Sequence, residues 1–388
     1  LILSPKGSFH PMNQKELNEI RRRIRPERNS IRNIYGCYVN GNREIISYLD
    51  ESLALLTKEE AEKYLALLKK TLSGTLGRNL LDLSFATKQV MDSEEHRLLS
   101  QLRKTELKDA ALRDAFYKAI IESLNMEDRN YLILMAFDAY DVPRKGRSGD
   151  IEDSGEVFKY ILCCVCPVKS GRAELGYEPE DRRFHSATAG QIVCPPELGF
   201  LFPAFDERSA NIYNALFYTK NTMDIHQEFI DSVFRTRVPM SAGQQRETFG
   251  SILSETLEKD CRFDVIQGVH EQLSERISLH KESRDPEPLI VSPEELGDIL
   301  ENSGASPEEA ELLCGRCREQ FEGGEALRPA NLIDGKRLEI CTPEVKISLD
   351  PKFGYLVQTR VIDGRKYILV SADSGVEVNG IGVTIEEE

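Results

Sequence analysis

The chain has 388 residues, of which 40% are hydrophobic and 30% charged, and a net charge of −15 at pH 7. A single core stops growing near ~250–300 residues, so this length predicts two domains, and the composition excludes a disordered or fibrous chain. No apolar run approaches the ~18 residues that cross a bilayer, and the opening LILSPKGSFHPMNQ lacks the layout of a secretory signal, so a cytoplasmic protein without a membrane partner is expected.

Met12 reads as a natural start, with residues 1–11 an upstream extension. From Asn13 to Arg25 the apolar residues Leu17, Ile20 and Ile24 recur at helical spacing, and Pro26 ends the helix. The arginines mostly lie off that stripe. Asn40-Gly41 between IRNIYGCYV and NREIISYL predicts a tight hairpin that sets Tyr35 opposite Ile46.

Ala61, Tyr64, Leu65, Leu68 and Leu72 mark one helix face. Further helices are expected near 94–103 and from Leu112 to Asn125. Tyr131 to Phe137 and Val157 to Cys166 are almost continuously apolar, which predicts central strands covered on both faces. The charged stretch VPRKGRSGDIEDSGE between them reads as a mobile tip, and Lys169 to Gln191 as irregular. PPELGFLFPAFDERSANIYNALFY then holds six of the 29 aromatic residues. It reads as two strands joined near Asp206–Ser209, with Pro203 confining the first to an edge or bulge.

Helices are expected at 224–234, 244–258 and 263–283. SPEELGDIL and SPEEAELL each place serine as N-cap, proline first in the helix and acids in the first turn. Val345, Ile347 and Leu349 alternate with polar residues, and Asp363-Gly364 sits between LVQTRVI and RKYILV, predicting a closing antiparallel sheet. The fold class is therefore α+β: a mixed or antiparallel sheet domain with helices over 1–222, then a helical segment and a small C-terminal antiparallel sheet over 223–388.

The charge is unevenly spread. Residues 1–48 carry nine Lys/Arg against four Asp/Glu, a net of +5, whereas residues 285–327 carry two against twelve, a net of −10. Arg21, Arg22, Arg23, Arg25, Arg28 and Arg32 are thus the nucleic-acid-binding candidates, and the segment holding them is where a nucleic acid or protein partner is expected. The alternatives are a merely solvated helix face, or pairing with the acidic segment in cis or in a second subunit.

Phe200, Phe202, Phe205, Arg208, Asn211, Tyr213 and Phe217 are candidates for an interface or pocket. Core completion is the plainer use of the aromatics, followed by a homo-oligomer contact along an edge strand, then a ligand pocket around Asp206, Arg208 and Asn211. Cys194, Asp206, Arg208 and His226 form the alternative catalytic set, of hydrolase type. Nine cysteines, an odd number without regular spacing, read as reduced thiols. Cys163, Cys164 and Cys166 lie inside a strand and Cys314-Gly315-Arg316-Cys317 inside a helix, so neither a metal nor another cofactor is expected. Gly74-Thr75-Leu76-Gly77 has the form of a nucleic-acid clamp loop, and a helix break is its plainer use.

GCYVNGNREIISYLDESLALL, EKYLALLKKTLSGTLGRNLLDLSF, QVMDSEEHRLL, the aromatic stretch and TRVIDGRKYILV together resemble an uncharacterised bacterial family labelled domain of unknown function 4317, over about Met12 to Gly380. That likeness implies no activity. In layout alone, from early strands to a closing hairpin, the chain is similar to bacterial nucleoid-associated proteins, and VKISLDPK is the nearest local echo. The expected function is a non-catalytic macromolecule-binding protein with a nucleoid association as its finer form, and the hydrolase is the rival.

Overall fold

The computed structural model describes residues 12–145, 151–171, 173–178, 180, 182–188, 190–258, 261–283, 285, 287–321, 327–372 and 375–384. Residues 1–11 and the centre of the expected mobile tip, 146–150, lie outside them. Two compact units emerge, one reaching Ala242, the other formed by Gly243–Asp285 and the residues from Leu289 on.

The first unit runs α1 (Gln14–Arg23), β1 (Asn33–Val39), β2 (Ile45–Ser52), α2 (Lys58–Lys70), β3 (Leu80–Ser84), α3 (Thr87–Asp92), α4 (Glu94–Lys104), α5 (Ala110–Ser123), β4 (Asn130–Lys145), β5 (Ile151–Ser170), β6 (Ala173–Glu178), β7 (Arg183–Thr188), β8 (Gln191–Val193), β9 (Leu198–Phe202), β10 (Ala204–Asp206), β11 (Ser209–Asn211), β12 (Asn214–Thr219) and α6 (Gln227–Val233). One sheet, ordered β2-β1-β4-β5-β9-β12-β3 with β8 on the end of β5, organises it, and every neighbouring pair is antiparallel.

Both sheet faces are covered, which is why β4 and β5 read as unbroken apolar runs. On one face Tyr35, Cys37, Ile133, Cys163, Phe200 and Phe217 pack with Leu99, Phe116, Ile120, Phe229 and Phe234 of the α4–α6 side. On the other, Ile34, Leu134, Tyr160, Cys164 and Leu201 meet Leu17 and Ile20 of α1 and Leu65 and Leu68 of α2. Each such fully buried apolar side chain contributes about 1.5–3 kcal/mol.

Several local expectations are corrected. Tyr35 pairs with Asp50, not Ile46, because the β1–β2 connection is longer than a two-residue turn and a bulge follows at Tyr38/Val39. Asn40 Oδ1 accepts the Glu44 N–H at 2.9 Å, and the left-handed residue is Arg43 at φ 65°. Gly41 answers a different need, since a Cβ there would lie 2.0 Å from the Asp128 carbonyl oxygen. The aromatic stretch forms four short strands. Its first, β9, is internal, and Pro203 lies just beyond its end. The region expected to be irregular carries the β6–β7 hairpin.

The second unit comprises α7 (Ala242–Leu257), α8 (Phe263–Ser283), α9 (Pro293–Asn302), α10 (Pro307–Gln320), α11 (Pro329–Leu332), β13 (Leu338–Cys341), β14 (Lys346–Leu349), β15 (Val357–Ile362), β16 (Arg365–Val370), β17 (Val376–Val378) and β18 (Ile381–Val383), with α7 starting at the junction. Ser292 and Ser306 cap α9 and α10 as expected, each completing a capping box with the glutamate three residues on. Asp363 and Gly364 take φ of 49° and 77°, the conformation a two-residue hairpin needs. The closing strands form three separate two-stranded ladders.

Candidate nucleic-acid interface

Helix α1 owes its start to a capping box: Asn13 Oδ1 accepts the N–H groups of Lys15 and Glu16, and Glu16 Oε2 accepts the Asn13 N–H at 2.9 Å. Leu17, Ile20 and Ile24 are buried against the sheet, so the apolar stripe fixes the rotation of the helix. Arg22 consequently faces outward, and Arg21, half exposed, reaches only Asn18 Oδ1 at 3.5 Å.

Arg23 behaves differently. Its guanidinium lies 4.2 Å over the Tyr140 ring, contacts Asp138 at 3.4 Å and donates to the Ala139 carbonyl at 3.3 Å. Asp138, 1% exposed, also accepts the Tyr160 hydroxyl at 2.6 Å and the Ser30 backbone N–H at 2.7 Å. Burying a charge demands such partners. Between these anchors Arg28 N–H and Asn29 N–H both return to the Arg25 carbonyl at 3.1 Å, closing a turn, and Ile31 is buried.

The pinned backbone leaves Arg22, Arg25, Arg28 and Arg32 exposed. Among the described residues none of the four has a carboxylate within 4 Å; Arg23 alone of the six candidates does. Glu27 is the one acid between Arg21 and Arg32. In the second unit, carboxylates of the acidic segment pair locally, Glu294 with Arg318 at 2.5 Å and Glu295 with Arg276 at 3.1 Å.

Of the aromatic-stretch candidates, Phe200, Phe202 and Phe217 are fully buried in the first core and Phe205 in the second, against Phe158 at 4.7 Å. Tyr213 is 44% exposed. The polar members turn towards α1. Arg208 donates to Glu19 Oε2 at 2.7 Å and to the Pro143 carbonyl at 2.9 Å, and the other Glu19 oxygen accepts the Tyr140 hydroxyl. Asp206 accepts the Asn211 amide at 3.0 Å. Burial pushes the Glu16 carboxyl up, opposed by its bond from the Asn13 N–H and assisted by repulsion from Asp206.

The alternative catalytic set is not brought together: among the described residues no hydrogen bond or ion pair links any two of Cys194, Asp206, Arg208 and His226. The Cys194 N–H bonds Pro167, six residues along β5 from Ile161, the partner of Phe202 at the Asp206 end, which is ~20 Å of strand. His226 starts α6 with its Nδ1 3.8 Å from Asp224, and its buried Nε2 meets no partner among the described residues. Cys163, Cys164 and Cys166 are buried, and their neighbours in the described residues assemble no group of three or more His, Cys, Asp or Glu side chains fit for a metal. No helix among the described residues is long and apolar enough to cross a membrane.

Asp138 and Tyr140, which hold the arginine segment, and Tyr160 and Glu19, which bond to them in turn, escape sequence reasoning. The one available signal is an acid placed directly after the apolar run of β4.

No curated protein matches the chain. The model of the family described as a domain of unknown function, DUF4317, matches residues 12–381, and the chain belongs to that family.

Proposed function

We propose that the chain is a non-catalytic protein that binds a macromolecule, and that nucleic acid, in a nucleoid-associated setting, is the partner its N-terminal surface suits. One observation carries the reading: the segment from Arg21 to Arg32 is fastened through Arg23, Ser30 and Ile31, while Arg22, Arg25, Arg28 and Arg32 project without carboxylate partners among the described residues. A held array of guanidinium groups complements the charge of phosphates, and its affinity is governed by counterion release.

The test is fluorescence anisotropy of labelled DNA and RNA over a salt series. Binding at low salt that falls steeply as salt rises is expected, with a shallower slope once Arg22, Arg25, Arg28 and Arg32 become Ala. Absence of binding at low salt, or an unchanged slope in the variant, removes the proposal.

A further inference from the structure

Where the arginine segment rounds the end of the sheet it borders a cavity of about 320 Å³, lined by Ser30, Arg32, Asn33, Tyr35, Glu106, Lys108, Phe137 and Ala139. That is the lower end of the ~300–1,000 Å³ range of ligand pockets. Asn33, Tyr35, Phe137 and Ala139 lie on one sheet face by strand alternation, because Tyr35 pairs with Met135, two residues from Phe137. They form the floor. The turn after α4, with Glu106 and Leu107 at φ 54° and 60°, forms one wall, and Ser30 to Arg32 forms the other.

The chemistry of this cavity is mixed in a specific way. Phe137 is only partly buried, whereas Tyr35 is 7% exposed, with Arg113 4.3 Å over one ring face. Lys108 and Lys159 both pair with Glu106, at 2.7 and 3.4 Å, so the single acid of the lining is already met by two cations, and Arg32 remains in excess. Flat apolar surface beside uncommitted positive charge is what an unstacked base and its phosphate require. A duplex offers its phosphates but keeps its bases stacked away from such a recess.

We propose that the cavity receives one base of a single-stranded nucleic acid against Phe137, while Arg32 and the arginines leading to it hold the adjoining phosphates. This rests on the polyanion-binding reading and adds a strand class to it. Ribose and deoxyribose strands share the chemistry and are separated by the probes.

The experiment measures binding of labelled dT15, rU15, a 15-base-pair duplex and a 15-unit abasic deoxyribose strand to the full chain and to two variants. Phe137→Leu keeps an apolar side chain and removes the stacking ring, and Ala139→Leu fills the cavity without removing a contact; thermal melting checks that each folds. The single strands are expected to bind about tenfold more tightly than the abasic strand, with both variants erasing that difference and leaving abasic binding unchanged. A larger effect with rU15 than dT15 would assign RNA, and the reverse DNA. Equal binding of abasic strand, duplex and single strands, lost when the exposed arginines become Ala, overturns the base site and leaves the polyanion reading standing. Absence of binding by every probe at low salt overturns both. If Phe137→Leu fails to fold, an unaltered preference in Ala139→Leu is sufficient to overturn the base site.

Discussion

The Tyr160 hydroxyl donates to Asp138 at 2.6 Å across neighbouring strands of the central sheet, with both side chains essentially buried. Tyr160 therefore orients the carboxylate that holds Ser30 and Arg23. The buried phenol stays protonated, since burial and the adjoining carboxylate push its ionisation well above the ordinary tyrosine range.

Asp138→Ala should cost about 3 kcal/mol in urea unfolding, because it leaves the Tyr160 hydroxyl and the Ser30 N–H without their acceptor. Asp138→Asn, which retains one acceptor oxygen, should cost less. A loss under about 0.5 kcal/mol for the alanine variant would show that the carboxylate holds nothing in place.

Tyr117 and Tyr131 bury hydroxyls that find no hydrogen-bond partner among the described residues, on the same core face as Cys37. Tyr117→Phe and Tyr131→Phe should each be neutral or stabilising by up to about 1 kcal/mol, since each removes a desolvated polar group without opening a cavity. Differential scanning calorimetry on the two variants decides it: a clear fall in melting temperature would mean the hydroxyls are satisfied in solution.

Glu16 should make the protein less stable as pH rises. Its carboxyl is raised in the folded state, mainly by burial, so the folded form favours the protonated group. That contribution is complete below the unfolded pKa, near 4.5, and is lost as pH climbs through the raised folded value. Glu16→Gln keeps an N3 side chain able to accept the Asn13 N–H, and should flatten this part of the stability profile and raise stability at pH 7. Urea midpoints for both proteins between pH 4 and 7 check the sign; parallel profiles would refute it.

Cysteine labelling in the native state should follow burial. Cys261 and Cys341 are exposed and should react readily with iodoacetamide, whereas Cys37, Cys163, Cys164, Cys166 and Cys317 should remain unmodified until the chain unfolds. Burial pushes the Cys37 and Cys317 thiols up to about 12, so thiolate is scarce even where reagent enters. Mass spectrometry of the labelled peptides reads each site.

Much of the fold was legible where the deciding contacts are local. Ser292 and Ser306 announce their helices because cap, proline and glutamate lie within four residues, and Asp363-Gly364 turns as its φ preferences demand. Asn40-Gly41 misled because its geometry is set by Asn130, which accepts the Gly41 N–H, and by the closeness of Asp128, both far along the chain. The β6–β7 hairpin did leave a trace, since Ala173, Leu175 and Tyr177 alternate with Glu174, Gly176 and Glu178, but Leu175, Tyr177 and Phe184 are all exposed, so the alternation marks no buried face. At the candidate site the arginine cluster was visible as composition, but nothing in the string separates Arg23 from its neighbours. That distinction arises only when β4 brings Asp138 and Tyr140 beneath α1. For the same reason the contact between Glu19 and Arg208, 189 positions apart, was out of reach.

The clamp of Asp138 on Ser30 has a practical corollary. A molecule that grips the chain between Arg25 and Arg32 pulls on the middle of the sheet through that bond, so occupancy and global unfolding are thermodynamically coupled, and a ligand present at a hundred times its dissociation constant adds about 2.7 kcal/mol of resistance to melting. Candidate polymers can thus be ranked without labels, by the temperature at which the protein loses its structure in their presence.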